Sequence, residues 1–151
     1  MELNERIHST PTLNESAGRR ELLLCVADKV LPSGRVYPAD VLAAAAIRAN
    51  TRAQRGELVG VAGGPGRGPE LLDVVMRVAG VRFDGRQMFA SFDTIPTAKG
   101  DDLRALLEAG VAVELSMRGI GAVKREQRGG GWVDVVQDYE LIAVDVVMTD
   151  N

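Results

Sequence analysis

The strongest pattern of apolar positions has a helical period and begins after Pro38. Proline suits the first turn of a helix, because its missing N–H would have no partner there. An alanine-rich segment then runs to about Arg52. The spacing predicts a helix over residues 38–52 with one face turned to the core. That face is formed by Val41, Leu42, Ala45, Ala46 and Ala49.

A second helical period occupies residues 101–109. Either Asp101 or Asp102 can cap this helix, because a short carboxylate accepts hydrogen bonds from the free N–H groups of the first turn. Gly110 is expected to end it, since glycine readily adopts the conformation that closes a helix. The apolar face is formed by Leu103, Leu106 and Leu107, at the i, i+3, i+4 spacing.

Short apolar runs and alternating patterns predict strands between the two helices and before the first. Residues 21–28 form an apolar run typical of a strand buried on both faces, and residues 57–62 predict a second, short strand. Residues 73–81 and 87–95 flank Asp84-Gly85, a sequence that favours a tight hairpin turn. The two segments are therefore expected to pair antiparallel.

The C-terminal third predicts a strand, a corner and a long hairpin. Val111, Val113 and Leu115 alternate as a half-buried strand does, and a Ser-Met-Arg-Gly corner follows at residues 116–119. Three glycines at residues 129–131 indicate a turn. Residues 132–147 then return as a strand rich in β-branched side chains.

Residues 1–20 are polar and show no period, so two interpretations stay open for this segment. It is a flexible tail, or it is an extended arm that becomes ordered on a neighbouring subunit. The only histidine of the chain, His8, lies here and is interpreted as a solvated side chain. The predicted organisation is an N-terminal arm, residues 1–20, followed by one domain, residues 21–151.

Composition sets limits on the class of protein. The 151 residues suffice for one domain with a real core, and an aromatic content of 4% makes that core aliphatic. The net charge of −3 gives no basic field for nucleic acid. No apolar run approaches the length of a membrane span, and no secretory signal is visible. The single cysteine, Cys25, lies in an apolar run and is expected to be a buried hydrophobic residue.

Two patterns that would indicate a bound ligand are absent. The glycine-rich residues 63–69 lack the Gly-Lys-Ser/Thr ending of a phosphate-binding loop and are interpreted as a turn. One histidine and one cysteine cannot supply the ligands of a zinc site. We therefore expect no metal, no cofactor and no small-molecule substrate.

Three segments resemble the prohead serine proteases of tailed bacteriophages, of the myovirus prohead core protease type, which cut scaffold and capsid proteins during head maturation. Residues 34–42 resemble the family's Asn-Gly-Arg-Ile-Tyr-Pro segment, and residues 113–123 resemble its Gly-Val-Ser-Ser-Arg-Gly-Leu-Gly segment. Residues 135–147 resemble its Asp-Phe-x-Leu-x-x-x-Asp-Val-Val strand. The positions of the last two segments that fit the family frame are Arg118, Gly119, Gly121, Asp138, Tyr139, Leu141 and Asp145 to Val147.

The resemblance implies where a catalytic base would lie. The family carries its histidine in a Gly-Glu-x-(Asp/Gly)-His-Pro turn, and the matching segment is residues 60–65 of this chain. The histidine position is Gly64 and the acidic position is Val61. A second family histidine would fall near Gly80. A serine nucleophile requires a base within hydrogen-bond reach, and neither position supplies one.

The resemblance also implies the position of the nucleophile. The family carries two serines before Arg-Gly, whereas this chain has Ser116-Met117. The alignment places the catalytic serine at Met117. If the first serine is the nucleophile instead, Ser116 is present without its base. Ser116 is otherwise interpreted as a residue at a strand end whose hydroxyl bonds to nearby backbone. Arg118 is interpreted as making a structural hydrogen bond or ion pair. The chain thus resembles a protease without its catalytic apparatus.

For architecture we predict an α+β fold similar to prohead and herpesvirus proteases. An antiparallel, β-barrel-like sheet of about six or seven strands is flanked by the helices at residues 38–52 and 101–109. The N-terminal arm extends from this domain. Gly119 and Gly121 are expected to let the strand corner bend tightly.

The first functional hypothesis is a non-catalytic bacteriophage head protein, a decoration, cement or minor head component of the capsid. The chain ends at Asn151 without an acidic coiled-coil extension, which favours a compact shell-associated protein over a scaffold. Its partners are the major capsid protein and other copies of itself, and it is assembled in the host cytoplasm and retained in the virion.

Two alternatives remain open. One is a working serine endopeptidase that processes scaffold and capsid proteins with Ser116 and an acid such as Asp93, Asp101 or Asp102. The other is an unrelated α+β binding module, which an open sheet would favour. The mixed-charge run at residues 124–128 is interpreted as a solvated hairpin end able to contact an acidic partner surface.

Overall fold

The computed structural model describes residues 1–7, 12–14, 19–62 and 73–148. These residues form nine strands and two helices. The strands are β1 Glu2–Ile7, β2 Thr12–Asn14, β3 Arg19–Val26, β4 Arg35–Val36, β5 Val59–Ala62, β6 Val74–Phe83, β7 Gln87–Thr94, β8 Val113–Arg128 and β9 Gly131–Met148. The helices are α1 Ala39–Gln54 and α2 Ala98–Glu108.

The strands form one curled sheet in the order β1-β8-β9-β5-β6-β7-β3-β2, with β4 also paired to β9. The curl brings β1 into contact with β3 at the other side of the sheet. Neighbouring strands pair antiparallel except at two places, where β4 and β5 each pair parallel with β9. The α+β class and the barrel-like sheet with two helices are therefore confirmed. The sheet is mixed rather than wholly antiparallel, and the described residues form nine strands rather than six or seven.

Helix α1 follows Pro38 as expected, and its alanine-rich face packs on the sheet. Leu42, Ala45, Ala46 and Ala49 are buried, while Val41 is only partly buried. Small side chains let the helix approach β6 closely. In the described residues no helix has both the length and the apolar character required to cross a membrane.

Two arginines on α1 fill a gap in the sheet. Strand β9 pairs with β4 at residues 134–135 and with β5 only from residue 144 onward. Between these points, Arg48 donates to the carbonyl of Tyr139 at 2.7 Å and Arg52 donates to the carbonyl of Leu141. The guanidinium groups satisfy carbonyls that a neighbouring strand would otherwise bind.

Helix α2 differs from the sequence prediction at its N-terminal end. It begins three residues earlier, and Thr97, rather than Asp101 or Asp102, is the N-cap, accepting a hydrogen bond from the amide of Gly100 at 3.1 Å. A threonine hydroxyl caps as a carboxylate does. Gly110 follows the helix with a φ of 79°, the conformation expected of a terminating glycine. Leu103 is buried, whereas Leu106 is exposed.

The Ser-Met-Arg-Gly segment is not a corner between elements, because β8 continues through it from Val113 to Arg128. Its pairing with β9 shifts register between Arg118 and Gly119, where β9 carries the extra residue Ile142. One extra residue on a strand bends it and increases its twist without ending the pairing. The Asp84-Gly85 hairpin and the glycine turn at residues 129–131 occur where they were predicted.

The N-terminal segment contains two strands. Glu2–Ile7 is extended and pairs antiparallel with β8 of the same chain, and Leu3 is fully buried. Thr12–Asn14 pairs with β3. His8 and the other residues of the predicted arm that lie between these strands are outside the described ranges, so the arm boundary at residue 20 stays a prediction.

Candidate functional site

The candidate site is built on the first half of β8, where side chains alternate between the two faces of the sheet. Leu115 and Met117 point into the hydrophobic core and are buried there. Ser116 and Arg118 therefore lie on the opposite face, together with Glu114. The two positions considered for the nucleophile, Ser116 and Met117, thus lie on opposite faces of the sheet. Met117 is a core side chain.

Ser116 is enclosed by its neighbours on both sides. It lies opposite Arg6 of β1 and opposite Asp145 of β9 in the strand register. Its side chain donates a hydrogen bond to the backbone carbonyl of Glu5 at 3.1 Å, and the residue is only 2% exposed. The hydroxyl proton is therefore held by a carbonyl oxygen, which cannot remove it.

The charged groups on this face are arranged as ion pairs. Arg118 donates from Nε to Asp145 Oδ2 at 2.9 Å and makes a second bond from its terminal nitrogen to Oδ1. Asp145 is fully buried. Such a two-point contact is the strongest form of arginine–carboxylate pairing. Arg6 pairs with Glu114, which is also buried. The carboxylates closest to Ser116 in the register are thus engaged by arginines.

The positions where the resemblance places histidines do not supply a base in the described structure. Gly64 lies outside the described ranges, two residues beyond the end of β5, and Val61 is a buried strand residue paired with Asp145. The sole histidine, His8, also lies outside them. None of the described residues is a histidine.

Gly80, the second position where a histidine was considered, is part of a register shift in β6. The amide of the next residue, Val81, donates to Asn50 of α1 at 3.0 Å. A Cβ added to Gly80 would lie 3.3 Å from both Asn50 Oδ1 and Ser91 Oγ, which is a tight approach. Polar side chains that fix α1 to the sheet occupy the space around this glycine.

The acids considered as unusual bases do not lie next to Ser116. Asp101 lies in the first turn of α2 and Asp102 directly follows it, in the half of the helix away from its link to β8, and both are exposed. Asp93 lies in β7, four strands from β8 in the sheet order. The carboxylates next to Ser116 are Glu114 and Asp145, which the sequence patterns did not single out for this role.

A buried carboxylate that the sequence did not indicate lies on the core side of β1. Glu5 is buried and accepts hydrogen bonds from the hydroxyl of Ser33 at 2.8 and 3.0 Å. It also accepts from Arg35 at 2.9 Å and from the hydroxyl of Tyr37 at 2.9 Å. Burial, and next the charge of Glu5, raise the pKa of Tyr37 well above its usual range. This cluster ties β1 to the segment before α1.

The cysteine is unsuited to be a nucleophile. Cys25 is fully buried, and burial followed by the charge of Glu5 raises the pKa of its thiol to about 12. The thiolate, which is the reactive form, is therefore disfavoured at neutral pH. Across the described ranges, no group of three histidine, cysteine or acidic side chains is placed to hold a metal ion.

We expect Cys25 to be inert to Ellman's reagent at pH 8 in the folded protein and to react fully in 6 M guanidinium. Because the folded thiol keeps its proton at a pH where the unfolded thiol loses it, stability should be unaffected by this group below about pH 8.5 and fall as the pH rises toward 12. An Ala44→Cys variant, with a thiol on the exposed side of α1, provides the reactive control. Rapid labelling of folded Cys25 would contradict the buried thiol.

The chain is similar to a known protein family in sequence and to a solved structure in fold. The sequence profile of a family described as prohead core protein serine protease matches residues 19–151. The solved structure titled "Structure of the bacteriophage T4 capsid assembly protease, gp21" superposes with a TM-score of 0.79, covers 99% of this chain and 98% of that one, and is 20% identical in sequence. At that identity the likeness shows the fold. No curated protein matches the chain.

Proposed function

The chain belongs to the prohead core protein serine protease family, and we propose that it is a member that does not cleave peptide bonds. In this proposal it is a structural protein of the bacteriophage head, a decoration, cement or minor head component. The observation that carries the proposal is the state of Ser116, whose hydroxyl is buried and bonded to the carbonyl of Glu5.

The physical argument concerns the proton of the serine hydroxyl. Attack on a peptide carbonyl requires a neighbouring base to take this proton, and a backbone carbonyl is far too weak a base. Asp145 and Glu114 form ion pairs with Arg118 and Arg6, whereas the hydroxyl of Ser116 donates to the carbonyl of Glu5. The alternative nucleophile position, Met117, has no hydroxyl.

The remaining features suit a protein that acts by binding. We propose the major capsid protein and other copies of this chain as its partners, with assembly in the host cytoplasm and retention in the virion. The curled sheet and both helices are held by contacts that do not involve peptide cleavage, so the fold can present surfaces to a shell. Mass spectrometry of mature particles and of proheads tests this role, and we expect the full-length chain at high copy in mature particles.

The proposal predicts no proteolysis. Purified protein incubated with the major capsid and scaffold proteins of its own phage should yield no fragments on gels or by mass spectrometry. The Ser116→Ala and His8→Ala variants should give the same result as the unmodified chain. A small amount of trypsin added to parallel samples shows that the substrates can be cut. Cleavage by the unmodified chain that is lost in Ser116→Ala would disprove the proposal.

A second candidate is a working serine endopeptidase, and one observation favours it. Ser116 lies directly opposite Asp145 in the β8–β9 register, so a hydroxyl and a buried carboxylate share one face of the sheet. This arrangement would need Arg118 to release Asp145 and β1 to release Ser116. The cleavage assay decides between the two candidates.

A further inference from the structure

The end of the β8–β9 hairpin projects beyond the sheet. We define the hairpin tip as residues 124–133. Its three outermost pairs, from Glu126 opposite Val133 to Arg128 opposite Gly131, have no third strand beside them in the described ranges. Three pairs span about 10 Å. A two-stranded ribbon of this kind is marginally stable in water, so it gains from a partner that packs on it.

The tip presents the only tryptophan of the chain to solvent. Trp132 is 60% exposed, although the aromatic content of the chain is only 4%. The guanidinium carbon of Arg125 lies 5.4 Å from the centre of its ring, a cation–π arrangement that holds the indole in place. Tryptophan and arginine are the residues most enriched at the energetic centres of protein interfaces.

The charge of the tip is opposite to that of the chain as a whole. Residues 124–133 carry three basic side chains, Lys124, Arg125 and Arg128, and one acidic side chain, Glu126, in a protein with a net charge of −3. Arg128 pairs with Glu126 at 3.2 Å, and Asp134, just outside the tip, lies opposite Arg125 in the strand register. The surface around the indole therefore keeps a small excess of positive charge. An acidic partner surface complements this arrangement.

We propose that the hairpin tip docks on an acidic protein surface of the capsid shell. Trp132 enters a shallow apolar pocket of that surface, and Lys124 and Arg125 face carboxylates at the pocket rim. A protein occupant is favoured over nucleic acid, because the tip is one short positive patch on an acidic protein rather than a basic track along a phosphate backbone. This inference rests on the proposed function, since it assigns the part of the chain that contacts the shell.

The test measures binding of the full chain to purified proheads of the same phage by co-sedimentation at about 100 mM salt. Trp132→Ala and Lys124→Glu should each weaken binding at least tenfold. Ile47→Ala and Lys29→Glu are matched controls at exposed positions on α1 and in the loop after β3, and they should change affinity less than twofold. Binding of the unmodified chain should also weaken as salt rises, and more steeply than that of Lys124→Glu.

A second measurement reports on the tip directly. Because Trp132 is the only tryptophan, protein labelled with 5-fluorotryptophan gives a single ¹⁹F signal. Unlabelled proheads should broaden and shift this signal.

The outcomes separate the two proposals. If the chain binds proheads but the tip variants bind equally well and the ¹⁹F signal is unchanged, the docking surface is disproved and the structural function stands. If the unmodified chain does not bind proheads, both proposals fail. A concentration-dependent ¹⁹F shift in the chain alone, lost in Lys124→Glu, would show that a second copy occupies the tip and would overturn the assignment to the shell.

Discussion

Replacing Arg118 with methionine should lower the free energy of unfolding by about 3 to 5 kcal/mol. Arg118 makes a two-point contact with Asp145, which is fully buried in β9. Without the guanidinium, the Asp145 carboxylate is left in the protein interior without the cation that offsets its lost hydration. The cost arises from this uncompensated charge, because methionine fills much of the volume of the arginine stem.

Urea unfolding followed by circular dichroism measures the effect. Arg104→Met is the matched control, since Arg104 pairs with Asp101 at 3.4 Å on the exposed side of α2 and should contribute less than about 1 kcal/mol. The double variant Arg118→Met/Asp145→Leu removes both charges and should be more stable than Arg118→Met alone. Equal effects of Arg118→Met and Arg104→Met would show that the buried pair is not stabilised as described.

The elements that the sequence predicted well are those whose signals are local. The helical period after Pro38 predicted α1, and Asp84-Gly85 predicted the β6–β7 hairpin. Both signals are local, because backbone restrictions and near-neighbour spacing act within a few residues. The alternation of Val113 and Leu115 also places Met117 on the core face. The position considered for the nucleophile could therefore have been assigned to the core from the sequence alone.

The elements that the sequence did not predict depend on contacts between distant parts of the chain. Strand β1 is one such element, because its polar side chains form hydrogen bonds and ion pairs with residues far away in the sequence. Glu5 accepts hydrogen bonds from Ser33 and Tyr37, and Arg6 pairs with Glu114, more than 100 residues away. A strand held by buried polar contacts has the composition of a flexible tail. For Arg118 a structural ion pair was considered from the sequence, but Asp145 could not be named as its partner, because no local spacing connects β8 with β9.

The structure gives physical roles to residues that fit the family frame without calling on catalysis. Arg118 neutralises the buried carboxylate of Asp145, and the carbonyls of Tyr139 and Leu141 accept hydrogen bonds from Arg48 and Arg52 of α1. Each of these contacts stabilises the curled sheet whether or not peptide bonds are cut. None of these contacts depends on a catalytic base or nucleophile.

Replacing Gly119 with alanine should destabilise the protein by about 3 kcal/mol or more, combining overpacking with a lost buried hydrogen bond. A Cβ at this position would lie 2.2 Å from Cζ and 2.3 Å from the hydroxyl of Tyr139, and 2.5 Å from the carbonyl of Glu140. The ring cannot swing aside freely, because its hydroxyl donates to the carbonyl of Leu3 at 3.1 Å and its edge packs on Tyr37. The methyl group must displace the backbone of β9 or break the tie to β1.

Gly131→Ala is the control, since its nearest neighbour would be 4.0 Å away and its backbone is not left-handed; it should change stability by less than about 0.5 kcal/mol. A double-mutant cycle with Tyr139→Val isolates the contact, because removing the ring should make Gly119→Ala clearly less costly. If Gly119→Ala costs as little as Gly131→Ala, the close packing of Tyr139 on β8 is not rigid. If Gly119→Ala is equally costly in the Tyr139→Val background, the clash with the Glu140 carbonyl dominates. In that case the close approach of β8 and β9 at their register shift requires the glycine, and the tyrosine ring does not.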